Sequence, residues 1–187
     1  MTIPPIAPAA PTAPTALPLH DAPLDSLHAL SFAERSCLPE WAARALDARD
    51  IAERYTPSAW LNPFTLRGHF DSDTLADCAV TAVENRSGKR GILIVHRADL
   101  SVHVAGAGTE SGAGGDDFEW MDAWQVSERA LVENGAVVQR DAAVERGSAR
   151  DAPPALANDV LWVAKTESAS GLIFWDGQRY LWSQQAD

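Results

Sequence analysis

Cysteine is nearly missing from this chain: Cys37 and Cys78 are the only two among 187 residues. Neither lies in a CxxC or other metal-type spacing, which argues against a cysteine-built metal site. Both read as free, buried thiols, with a disulfide left open. Positive charge is also scarce. Fifteen Lys and Arg stand against 26 Asp and Glu, giving a net charge of -11 and a pI near 4.8. Such a surface repels phosphate backbones and anionic lipid, so neither nucleic acid nor a membrane is an expected partner. A basic protein or a cation suits it better. No apolar run reaches the roughly 18 residues that a membrane-spanning helix needs. The opening "MTIPPIAPAAPTAPTALPL" lacks a positive n-region and is interrupted by prolines, so it does not read as a secretory signal. The expected localisation is cytoplasmic.

Several catalytic signatures are missing too. There is no GxSxG elbow and no HExxH. The segment "GAGTESG" at 106–112 follows a predicted strand, but Ser111 stands where a dinucleotide loop needs its third glycine. No lysine follows to meet a phosphate, and Asp116, Asp117, Glu119 and Asp122 would repel one. A mobile loop is the reading.

What is present divides the chain unevenly. Seven of the twelve prolines fall within the first 23 residues, which predicts an extended, disordered Pro/Ala-rich tail over 1–25. Residues 26–187 then form a single expected domain. "LPEWAARALDARDIAERY" carries apolar residues at helical spacing behind Pro39 and must end before Pro57. A shorter helix is expected around 27–35. Alternating or continuous apolar runs predict strands over 64–69, 77–85, 90–97, 100–105, 159–166, 171–175 and 179–183. "NRSGKR" and Asp176-Gly177 supply hairpin turns. Residues 118–126 fit a helix or a strand equally. Consecutive strands joined by tight turns mean antiparallel pairing. The expectation is an α+β domain, with N-terminal helices packed on one twisted antiparallel sheet of about six to eight strands.

The most suggestive stretch is "GHFDSDTLADCAV", residues 68–80, with His69, Asp71, Asp73 and Asp77 at positions 1, 3, 5 and 9 of a loop before an apolar strand. Carboxylates at alternating positions of a tight loop can converge on one cation. On these residues the loop resembles the acidic DxDxDGxxD loops of FG-GAP and VCBS-type β-repeat proteins. That resemblance implies Asp71, Asp73 and Asp77 as calcium ligands. His69 stands at the first ligand position, and Ser72 and Thr74 replace the glycines that tighten such loops, so the pattern is degenerate. A turn whose aspartates cap backbone N–H groups, with no ion, is the competing reading. From Asn62 onward the chain also resembles a group of uncharacterised β-rich bacterial proteins sharing "GILIVH", "DDFEWMDAWQV" and "ESASGLIFWDGQRYLWSQQ". In outline it is similar to immunity and inhibitor proteins that neutralise bacterial toxins.

Three further features bear on function. His96 and His103 fall on adjacent predicted antiparallel strands, where two imidazoles that meet across the hairpin would make a transition-metal site with a carboxylate; ordinary strand-surface histidines are the competing reading. Glu167, between an apolar strand and a Ser/Gly turn, is the one candidate for a carboxylate-based enzyme. Trp162, Phe174, Trp175, Tyr180 and Trp182 crowd three successive strands, with Tyr180 and Trp182 on one face and Phe174 and Trp175 on opposite faces. The function expected is non-enzymatic: an acidic immunity or inhibitor protein without a cofactor, meeting a basic toxin through Asp116, Asp117, Glu119, Trp120, Asp122 and Trp124. A calcium-binding structural module is the alternative.

Overall fold

The computed structural model describes residues 27–127, 130–133, 136–139 and 158–186. The expected tail over 1–25 lies outside them. Three short helices come first: α1 (Phe32–Cys37), α2 (Glu40–Leu46) and α3 (Arg49–Ala52). Ser31 and Glu34 close a reciprocal capping box at α1, each side chain bonding the other's backbone N–H. The single helix expected behind Pro39 is two, because Ala48 between them has an extended backbone. The chain then leaves helical geometry at strand β1 (Tyr55–Pro57).

Two antiparallel sheets follow, in place of the one expected. The first holds β2 (Thr65–Gly68), β3 (Asp77–Glu84), β4 (Arg90–Val95) and β5 (Val102–Gly106) with β1. Its order is β1-β3-β4-β5, and β2 shares the β1 edge of β3. The second has the order β11-β10-β9-β6, from β6 (Ala123–Ser127), β9 (Val160–Lys165), β10 (Ala169–Trp175) and β11 (Tyr180–Ala186). Strands β7 (Ala130–Glu133) and β8 (Ala136–Gln139) form a further two-stranded sheet. Among the described residues no helix is long and apolar enough to cross a membrane.

Strands β3 and β4 are buried almost without interruption, because both of their faces are covered. Val80, Ala82, Leu93 and Val95 pack in one cluster with Leu38, Ala42 and Leu46 from the helical segment. The alternate residues Ala79, Ile92 and Ile94 pack in another with Leu161, Val163 and Ile173 of the second sheet. Alternation along one strand thus feeds two cores, each fully buried Ile or Leu contributing about 1.5–3 kcal/mol. Cys37 is exposed and Cys78 buried, both as free thiols; the expectation that both are buried fails for Cys37. It lies on α1, a helix with no buried residue.

Candidate functional site

The face of the first sheet that meets the second sheet carries an unusual row at one end. The register Cys78↔Val95 brings Asp77, one residue before, alongside His96, one residue after. The register Ile94↔His103 sets His103 diagonally beside His96 on the same face. Their rings lie 4.4 Å apart between centroids. Opposite them, the β10–β11 hairpin supplies Trp175 and Tyr180, which are cross-strand partners. Trp175 stands edge-on to His96 at 4.9 Å and to His103 at 4.8 Å. The turn beneath is fixed by Asp176, whose Oδ1 accepts the N–H groups of Gln178 and Arg179, and by Gly177 at φ 103°.

His96 is only 5% exposed, and both its ring nitrogens are addressed. Nε2 lies 2.7 Å from the Tyr180 hydroxyl, and Nδ1 lies 3.5 Å from Asp71 Oδ2. Asp77, with no exposed surface, closes the loop. Its Oδ2 accepts the N–H groups of Phe70 and Asp71, and its Oδ1 accepts that of Arg97. Asp71 Oδ1 in turn accepts the N–H of Asp73. Burial raises the Asp77 carboxyl above its ordinary range, and the Asp71 charge adds to this against the backbone donors. Burial holds the His103 imidazole toward its neutral form, with His96 acting the same way. The Tyr180 hydroxyl is likewise pushed far toward its protonated form by burial and by the two aspartates. It therefore serves as a neutral O–H partner to His96.

The three carboxylates read from the loop are not gathered together. One donor atom each from Asp71, Asp77 and His96 lies within 4.8 Å of the others, a group without Asp73. Asp73 instead caps the N–H of Leu75 through Oδ1, while its Oδ2 is buried without a partner. His69 is exposed, and its backbone N–H donates to Asp159. The pairing of His96 with His103 was readable from strand order. Tyr180 and Trp175 were named only as aromatics, and nothing in the sequence paired them with the histidines.

The segment read as a partner surface is largely engaged internally. Asp116 pairs with Lys89. Asp117 Oδ1 accepts the N–H groups of Arg90 and Glu119. Asp122 Oδ1 accepts both the N–H and the hydroxyl of Thr166. Trp124 is buried in the core between the sheets and donates its indole N–H to the Pro63 carbonyl. Glu119 is exposed and Trp120 half-buried. Glu167 is exposed in the β9–β10 turn with a left-handed backbone, φ 61°.

A second feature runs along the open side of the cluster. Between the edge strands β5 and β11 lies a groove of about 470 Å³, lined by His103, Glu110, Arg179, Tyr180 and Trp182 among others. Beyond Trp182 lies another of about 490 Å³, lined by Ala113, Trp120, Ala169, Trp182 and Gln184. The Trp182 ring lies over two glycines: a Cβ on Gly171 would fall 2.1 Å from it, and one on Gly114 2.7 Å. Trp120 meets Trp182 edge to face at 5.9 Å and donates its indole N–H to the Gly114 carbonyl.

Comparison with protein-family models, curated proteins and solved structures gives no match.

Proposed function

We propose that this is a non-enzymatic binding protein that docks a basic protein partner on the paired grooves flanking Trp182. The observation that carries the reading is the half-buried set Tyr180, Trp182 and Trp120 lining the two grooves, with Trp182 seated over Gly171 and Gly114 and Trp120 bonded to the Gly114 carbonyl. Aromatic side chains of this kind bury large area at small entropic cost and dominate interface energetics. Glu110, which lines one groove, and Glu119, next to Trp120, are both exposed. With the net charge of -11, they favour fast, electrostatically steered encounter with a positive surface. The narrower form of the reading is an immunity or inhibitor protein whose partner is a bacterial toxin.

Affinity capture from the native organism, followed by titration of the purified partner, tests it. Glu110→Lys/Glu119→Lys leaves the core untouched and is expected to weaken binding at least about tenfold, mainly by slowing association. Added salt should weaken the wild-type complex in the same way. A captured partner whose affinity ignores both changes would refute the surface. For the narrower form, a stoichiometric amount of this protein should silence the partner's toxic activity.

A further inference from the structure

We propose that Asp71, Asp77 and His96 form a binding site for a first-row divalent transition metal of the zinc type. The three ligands line neither groove, and the two readings share only Tyr180.

The first argument is a distance. His96 Nδ1 and Asp71 Oδ2 stand 3.5 Å apart, longer than an ordinary N–H···O bond. Two donors each about 2.1 Å from a tetrahedral zinc are separated by about 3.4 Å. The gap therefore matches two ligands of one ion. Asp77 completes a set of three donors lying within 4.8 Å of one another.

The second argument is orientation. Metal-bound imidazoles almost always have their other nitrogen fixed by a hydrogen bond, and ligating carboxylates are themselves held. Here Tyr180 holds Nε2 of His96, so Nδ1 is the nitrogen turned to the carboxylates. The Asp73 N–H holds Asp71 Oδ1 and leaves Oδ2 facing the imidazole. Asp77 Oδ1 accepts one N–H, from Arg97, and keeps a lone pair for an ion.

The third argument is charge. Two carboxylates face one imidazole, with side chains 13% exposed at Asp71 and 6% at His96 and none of Asp77 exposed. A dication balances both carboxylates. One nitrogen and two oxygen ligands fit zinc, cobalt or manganese, whereas calcium prefers six to eight oxygens.

The test uses the full chain stripped with a chelator, titrated with Co²⁺ and Zn²⁺, and with Ca²⁺ in parallel. The expected result is one Co²⁺ per chain, with the visible bands of a nitrogen–oxygen site, and a melting temperature that Zn²⁺ raises. Asp71→Asn and His96→Gln should each weaken binding at least about tenfold. Folded wild-type protein without saturable Co²⁺ or Zn²⁺ uptake would overturn the proposal. So would uptake unchanged in both variants, or Ca²⁺ chosen over Zn²⁺. If either variant fails to fold, nitrogen NMR of the wild-type imidazoles decides. Zinc should move the Nδ1 signal of His96, and bound zinc that leaves it in place refutes the site.

Discussion

Aspartate performs two kinds of work in this molecule, and the difference lies in what surrounds each side chain. Asp77 is enclosed and ties the backbone N–H groups of Phe70 and Asp71, before β3, to that of Arg97, after β4. Asp122 is exposed and bridges from the segment before β6 to the β9–β10 turn by taking two bonds from Thr166. Those donors, the backbone N–H first, lower the Asp122 carboxyl below its ordinary 3.8. A carboxyl whose folded pKa is depressed contributes stability that is present above the unfolded value and lost as pH falls through the folded one. Asp122→Asn should therefore melt below the wild type at pH 6, with the gap closing on acidification below about 4. A gap independent of pH, followed by thermal melting across that range, would mean that the side chain acts through something other than its charge. The bond from Asp122 to Thr166 was not legible in the sequence, since a capping aspartate and a docking aspartate look identical until Thr166 is placed beside it.

Strands and hairpins were largely legible because their punctuation is local. Asp176-Gly177 and the Gly88 turn, with glycines at φ 103° and 76°, sit where hairpin chemistry demands them. The predicted strands 77–85, 90–97 and 159–166 match β3, β4 and β9 to within two residues at each end. The division into two sheets was not legible. Ile92 and Leu93 are equally apolar, and nothing in their identity says which faces the helical segment and which the second sheet. The same limit hid the site. Asp71 reaches His96 through a loop, and Tyr180 through the opposite sheet, so no periodicity links them. Where two strands approach most closely, the constraint sharpens. A Cβ on Gly91 would fall 2.4 Å from both the Ala105 carbonyl oxygen and the Ala107 nitrogen, which are backbone and cannot swing aside. Gly91→Ala should cost about 2–3 kcal/mol in denaturant unfolding, as overpacking does. A loss below about 0.5 kcal/mol would mean that β4 and β5 separate there easily.

Strands β3 and β4 belong to both cores at once, so neither core can be lost without exposing the other. Unfolding should accordingly be a single transition over the described body. Tryptophan emission, dominated by rings between or upon the second sheet, and far-ultraviolet dichroism should give coincident melting curves. Separated curves would show that the helical layer detaches first. The buried histidine row, the Trp182 grooves and the helices thus share one stability, and a lesion in any of them is felt by all.

The two thiols give this cooperative body a convenient handle. Cys37 stands in the open on α1, whereas Cys78 is sealed inside β3, where burial raises its pKa and slows its chemistry. A maleimide dye should label the native chain once, at Cys37, and the denatured chain twice. Without any engineering, the molecule offers a single attachment point for a fluorophore or a bead, set on a helix that takes no part in the histidine row or the grooves.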